Sequence, residues 1–561
     1  MKCNTVTRFW YSLSTMGLVL GTCFFAASLT PSLLPRTAVT QGILSGLAFA
    51  AGYGIAILVR QLWHYMELRE PCGRFRSILK WIAIVWSTMA ALIFLWHLAD
   101  WQNSILEVMQ LASVSRAYPI KITLLTLLTA TVLLVTGRLF KNVFHFVARN
   151  VNRIVPRRIS NVIGLLAAIV LFGSVIDGIL FRHLLHMADT SYQKLDELFE
   201  PESMQPDDPM KTGSRASLVK WADLGRTGRA YIASGPGVED LRVFSGERAR
   251  EPIRVYVGLH SRETAQERAR LALEELKRVD GFSRSILVVI TPTGTGWVDP
   301  SGIDAVEYLH GGDIASVALQ YSYLSSPLSL FIEPDYGAEA ARCLFVEIYD
   351  YWTTLPRESR PKLYLHGLSL GALNSEQSAQ LFELIGDPPH GAMWSGVPFL
   401  SEAWNALTTH RNPSSPAWLP RFRDDSFARF MNQNGSSVPA TAPWGPMRIV
   451  YLQYASDPIV FFRYDIFWKK PQWMAPPRGH DVSLQFRWYP VVTFLQLALD
   501  VATASSSAMG YGHVYAPEHY LEAWIGVTGT GGHSPGEIER IRLHLTDRLR
   551  TQSIEDEEAA K

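Results

Sequence analysis

"KLYLHGLSLGALNSEQSAQLFELI", residues 362–385, joins a short apolar run to a serine boxed by two glycines and then to a helical pattern. The run "KLYLHG" (362–367) has the length and apolar bias of a buried strand, and the helical period begins near residue 371 and extends to about 385. Ser369 therefore stands on a strand-to-helix turn. Gly-x-Ser-x-Gly alone is weak: with 40 glycines in 561 residues, chance supplies roughly 0.2 matches. The flanking context carries the weight. Gly367 and Gly371 lack the Cβ atoms that would crowd a neighbouring strand and helix at so sharp a turn. Such a turn exposes a hydroxyl at the start of the next helix, where the backbone N–H of Leu370 can face a developing oxyanion.

Around this turn, β-type runs alternate with helical ones. "IRVYVGL" (253–259), "SILVVIT" (285–291), "ASVALQYSYL" (315–324) and "MRIVYLQYASDPIVFF" (447–462) read as strands, the last ending in Ser456-Asp457-Pro458. "TAQERARLALEELKRV" (264–279) reads as a helix opened by a Thr264–Glu267 capping box, and 338–352 reads as a second helix. This alternation predicts a mostly parallel sheet with helices on both faces. No internal repeat is visible.

The first third of the chain is different. Hydrophobic residues make up 48 % of the whole and charged residues 18 %, short of the ~25 % of a soluble domain. The imbalance comes from five apolar runs near 10–29, 41–59, 81–99, 119–137 and 160–181, each of about the 20 residues that cross a bilayer. The first has small residues resembling a signal cleavage site, but the later runs favour a retained anchor. Arg60, Arg69, Arg74, Arg76 and Lys80 lie between runs two and three; Arg138, Lys141, Arg149, Arg153, Arg157 and Arg158 lie between runs four and five. The other two connections carry only Arg36, and Arg116 with Lys121. Positive-inside then predicts a cytoplasmic N-terminus and five crossings, leaving everything after about residue 185 outside the cytoplasm, on the periplasmic side. Asp177, inside the fifth run, is either a functional intramembrane carboxyl or a group reaching the interface.

The expected organisation is a helical membrane domain over 1–186, a Pro/Ser-rich acidic linker over 187–235, an α/β domain over 236–550, and an acidic tail over 551–561. Cys3, Cys23, Cys72 and Cys343 form neither a disulfide framework nor a zinc pattern. The net charge of +1, with no dense basic run outside the membrane loops, excludes a nucleic-acid partner.

The "HGLSLG" turn, the "TPTGTGW" loop (291–297), "ASDPIVFF" and "GYGHVYAPEHY" together resemble the α/β-hydrolases, and more narrowly the bacterial membrane-anchored ones that join a multi-span N-terminal domain to a C-terminal hydrolase domain. The helix at 264–279 is additional to that pattern, and the stretch between acid and histidine is long. The resemblance implies a Ser-acid-His unit in that chain order. Asp457 then orients the base, unless it merely caps an Asp-Pro turn. His513, in the glycine-flanked loop, is the expected base; His480, His533 and His519 also follow Asp457 and stay open. His366 reads as strand packing. Thr293 and Gly294 are the expected second oxyanion donors beside Leu370. No cofactor or metal is implied.

Residues 461–494 interleave Phe461, Phe462, Tyr464, Phe467, Trp468, Trp473, Trp488, Tyr489 and Phe494 with Arg463, Lys469, Lys470 and Arg487. They read as a cap near 458–495 that either borders an acyl-chain groove at the headgroup level or is simply buried cap core. The expected activity is a membrane-anchored serine esterase or lipase-like hydrolase, with the lipid bilayer and an acyl ester as partners. An acyltransferase working on an envelope lipid or glycan, and a non-catalytic membrane scaffold or transport accessory on a hydrolase fold, are the alternatives.

Overall fold

The computed structural model describes residues 13–68, 73–114, 118–175, 196, 204–324, 326, 329, 335–379, 385–436 and 442–559. The chain divides into two compact units, Met1–His186 with Phe462–Ala504, and Met187–Phe461 with Ser505–Lys561.

In the first unit the helices are α1 (Thr15–Ser28), α2 (Ala38–Tyr65), α3 (Gly73–Trp96), α4 (Leu98–Val108), α5 (Pro119–Val151) and α6 (Arg157–Ser174). Four segments are long and apolar enough to cross a membrane: Ala38–Tyr65, Arg74–Val108, Pro119–Val151 and Arg157–Ser174. The first of the five expected spans is only a 14-residue helix, α1, in its described part, and "TPSLLP" ends it, because prolines at 31 and 35 deny the helix its donors. Asp177 and the end of the fifth expected span lie outside the described residues. Large apolar side chains such as Trp81, Val85, Leu92, Leu124, Leu128 and Ile169 stand exposed along these helices, an outer surface suited to lipid rather than water. Where α2 meets α5, Gly42 and Gly46 allow close approach: a Cβ at either would lie 2.5 Å from the Leu125 or Thr129 Cβ.

The aromatic-rich stretch expected as a cap in the hydrolase domain groups instead with these helices, from Phe462 to Ala504. The reason is polar. The last carbonyls of a helix lack intrahelical donors, and Gln496 Nε2, on the helix Val492–Ala502, donates to Thr30 O at 3.0 Å just beyond α1. Asp500 Oδ2 accepts from Leu33 N at 3.1 Å, and its other oxygen faces Arg36 Nε at 3.5 Å. Tyr464, Phe467 and Trp468 are exposed, whereas Trp473 is buried.

The second unit is built on one seven-stranded sheet: β1 (Ile253–Val257), β2 (Ile286–Thr291), β3 (Ile314–Leu319), β4 (Lys362–Leu368), β5 (Gly391–Ser395), β6 (Ala428–Met431) and β7 (Arg448–Leu452), in the order β1-β3-β2-β4-β5-β7-β6. Every pairing is parallel. β1, β2, β3 and β5 are buried at every residue, as strands covered on both faces must be. The principal helices are α7 (Ala265–Arg278), α8 (Pro300–Leu309), α9 (Tyr336–Thr354), α10 (Leu370–Glu376) and α11 (Pro517–Thr528). Alternation along β4 shows the two faces. His366 meets Gly302 of α8 and Trp524 of α11, while Leu365 borders a cavity with Leu407 of the helix Glu402–Thr409. The expected capping box forms at Thr264 and Glu267.

The expected linker is partly folded. Asp196 accepts from Arg226 N at 3.1 Å, and the helix Gly225–Ala233 packs on the sheet where Gly228 meets Tyr256. Among the tail residues, 551–559 continue the helix Pro535–Ala559.

Candidate active site

β4 delivers the chain to Ser369, whose φ of 56° and ψ of −127° are costly for a residue with a Cβ, roughly 1–3 kcal/mol. One hydrogen bond holds it there, and the flanking glycines make room for the turn. Ser369 N donates to Ser395 O, at the end of β5, at 3.0 Å. The glycines on either side permit the crossing: a Cβ on Gly367 would lie 2.5 Å from the Gly371 carbonyl carbon, and one on Gly371 would lie 2.2 Å from Thr291 O. Leu370 is the first residue of α10, so its N–H is among those without an intrahelical acceptor.

β7 leads to Asp457. Beyond Leu452 the chain turns at Tyr454–Asp457, and the Asp457 side chain is fully buried. Its Oδ1 accepts from Ile459 N at 2.8 Å; Oδ2 accepts from Tyr515 Oη at 2.7 Å and from His513 Nδ1 at 2.7 Å. A polar group buried this deeply is costly unless such donors satisfy it. The same turn staples the histidine loop on either side: Ser456 Oγ accepts from Gly512 N at 2.9 Å, and Tyr454 Oη from Ala516 N at 3.0 Å. Gly510 and Gly512, at φ of 86° and 58°, let the chain turn into this stapled loop.

The bond to Asp457 places the proton on Nδ1 and leaves Nε2 with its lone pair. Nε2 is buried and has no hydrogen-bond partner among the described residues. The ring lies against Gly396, where a Cβ would stand 2.5 Å from His513 Cε1. Gly396 directly follows Ser395, the residue that accepts the Ser369 amide, so imidazole and elbow serine share one neighbourhood. A buried basic nitrogen there can take a proton from a serine hydroxyl and return it to a leaving group.

The other histidines are engaged elsewhere. His519 Nδ1 is 2.6 Å from Tyr454 Oη, and His533 Nδ1 lies 3.9 Å from Glu537. His480 is exposed and belongs to the helical unit. His366 donates from Nδ1 to Met393 O at 2.8 Å, and burial lowers its pKa to about 4, a neutral packing histidine as expected.

The "TPTGTGW" loop touches the elbow through the Thr291 and Pro292 carbonyls. Its two expected donors are committed elsewhere in this conformation: Thr293 N donates to Trp297 O at 3.0 Å and Gly294 N to Ser326 Oγ at 3.2 Å. The local turn takes the Thr293 amide, and a side chain 32 residues further on takes that of Gly294.

Sequence reasoning missed two supports. Tyr515, two residues after His513, was legible only as an aromatic in a loop. Beneath the elbow, Tyr520 Oη joins Ser395 Oγ at 2.8 Å to Asp299 Oδ2 at 3.0 Å. Burial pushes the Asp299 carboxyl up to about 6, against the pull of its bonds from Tyr520 and Ser301. Among the described residues no three His, Cys, Asp or Glu side chains group closely enough to hold a metal ion.

A parallel sheet with a strained serine between β4 and a helix, followed along the chain by an acid–histidine pair beyond β7, is the architecture of an α/β-hydrolase. Residues 253–541 match the family described as "Alpha/beta-hydrolase family", and residues 29–236 match "Alpha/beta-hydrolase family N-terminus"; the chain belongs to this family. No curated protein and no solved structure matches it.

Proposed function

We propose that this protein is a membrane-anchored serine hydrolase that cleaves an acyl ester through an acyl-serine intermediate. The observation that carries the reading is the His513–Asp457 pair, with its buried, unengaged Nε2 beside the elbow that presents Ser369. Ser369 Oγ attacks the ester carbonyl as Nε2 takes its proton; the imidazolium, held by Asp457, protonates the departing alkoxide. Water then repeats the sequence in reverse and frees the acid. Leu370 N–H is the proposed donor to the oxyanion.

The apolar helices of the first unit serve as the anchor. The distribution of arginine supports a catalytic unit outside the cytoplasm, a sidedness that protease added to intact spheroplasts tests: full protection until lysis would reverse it. The chemistry is tested by fluorophosphonate labelling of the full chain in detergent. Wild-type protein should label at Ser369, and Ser369→Ala should not label. His513→Ala should label slower by several orders of magnitude, and in ester turnover the double variant should be little worse than either single one, as for groups acting together. Undiminished labelling of Ser369→Ala would end the hydrolase reading.

A further inference from the structure

At one end of the helical unit, the loop after α1, the start of α2, the length of α4 and the start of α5 enclose a cavity of about 530 Å³. Arg36 and Gln102 line it. The Arg36 side chain is only 2 % exposed, and three of its hydrogen-bonding directions are taken. Nε faces Asp500 at 3.5 Å, and Nη1 donates to Gln41 Oε1 at 2.9 Å and to Ser28 O at 3.2 Å. Nη2 is buried without a partner among the described residues, and so is Gln102 Nε2. The Gln102 amide is fixed in that sense, because its Oε1 accepts from Arg36 N at 3.1 Å. Two buried donors left open beside one cavity are costly unless something accepts from them.

The surroundings say what that is. Lys121 also lines the cavity, so against Asp500 the local charge is one positive in excess. The N-termini of α2 and α5 border the same space through Thr37, Ala38 and Val39 and through Tyr118, Lys121 and Ile122, adding the positive ends of two helix dipoles. Leu98, Leu106 and Ile122 give the wall an aliphatic side, with Leu98 and Ile122 belonging to the unit's buried core. Ends of membrane-length helices lie at headgroup depth.

We propose that this cavity binds an anionic amphiphile, its phosphate or carboxylate accepting from Arg36 Nη2 and Gln102 Nε2 near Lys121, and its aliphatic chain lying along Leu98, Leu106 and Ile122. The site lies wholly within the helical unit and its occupancy does not depend on the hydrolase chemistry.

The test is native mass spectrometry of the full chain in detergent, titrated with dioleoyl phosphatidylglycerol, with dioleoyl phosphatidylcholine, and with inorganic phosphate as competitor. Gln102→Glu keeps the acceptor for Arg36 N and turns the open donor into a repelling oxygen; Lys121→Glu changes only the exposed rim. Each should weaken phosphatidylglycerol binding about tenfold or more, the scale of one charge-assisted hydrogen bond. The lipid-free unfolding temperature and the fluorophosphonate labelling rate should stay at wild-type values. If Gln102→Glu does not fold, Lys121→Glu decides alone. Equal binding of the two lipids, or wild-type binding by the folded variants, would overturn the site. Displacement of phosphatidylglycerol by millimolar inorganic phosphate would overturn the amphiphile and leave a site for a soluble anion.

Discussion

Replacing Gly371 by alanine is the sharpest probe of the elbow, because the added methyl meets backbone rather than a side chain that could swing away. Its Cβ would stand 2.2 Å from Thr291 O and 2.7 Å from Pro292 O. Carbon–oxygen contacts settle near 3.3 Å at the closest, so the start of α10 must move about 1 Å from the end of β2. Overpacking of this kind costs about 1–3 kcal/mol, offset by up to about 1 kcal/mol of better helix propensity. The unfolding temperature should therefore fall by about 12 °C at most, at about 2–4 °C for each kcal/mol. Activity should suffer far more. Ser369 and the Leu370 amide ride on the same turn, and a 1 Å misplacement of reacting groups costs on the order of 100-fold. The assay is the fluorophosphonate labelling rate at Ser369, with hydrolysis of a p-nitrophenyl ester and thermal unfolding measured on the same preparation. Gly526→Ala in α11 is the control: its Cβ would sit 3.6 Å from Met431 Sδ and from Val450 Cγ2, ordinary contacts, so it should label normally and gain roughly 0.5–1 kcal/mol. A folded Gly371→Ala protein that labels at the wild-type rate would refute the argument that this close approach sets the serine.

Two further outcomes follow from the buried groups around the site. Tyr515→Phe removes one of the two donors on Asp457 Oδ2, a bond to an ionised group of about 1.5–3 kcal/mol. kcat/KM should fall about tenfold; a folded variant with wild-type kcat/KM would refute the role of this donor. Asp299 is a carboxyl raised from 3.8 to about 6, so its contribution to stability is full below its unfolded value and lost as pH rises through 6. At 1.36 kcal/mol for each pH unit, that loss is about 3 kcal/mol. Asp299→Asn, neutral throughout, should thus gain unfolding temperature relative to wild type between pH 4 and pH 7.5; a pH-independent difference would sink this account.

The chain's own pattern determined the sheet and the elbow. Strands buried on both faces are mostly apolar, and the 253–259, 285–291 and 362–367 runs were, with buried Arg254 and His366 among the exceptions; a serine between glycines at a strand-to-helix junction has few other uses. Local chemistry also determined the Thr264 capping box and the apolar helices, since hydrogen bonding within one turn and the length of a bilayer are properties of short segments. Pairing across long separations was decided only in three dimensions. Nothing near His513 in the chain distinguishes it from His480, His519 or His533 as strongly as the Asp457 carboxylate 2.7 Å away, 56 residues earlier. Thr293 and Gly294 looked like open amides until their own loop supplied Trp297 O and a residue 32 positions further on supplied Ser326 Oγ. The aromatic segment after Phe461 read as part of the domain it interrupts, yet it groups with the N-terminal helices because Gln496 and Asp500 satisfy the backbone at Thr30 and Leu33, 466 and 467 residues earlier. A periodicity records which face of a segment is buried, not what covers it; which donor meets which acceptor is settled only when the folded chain has removed water from both.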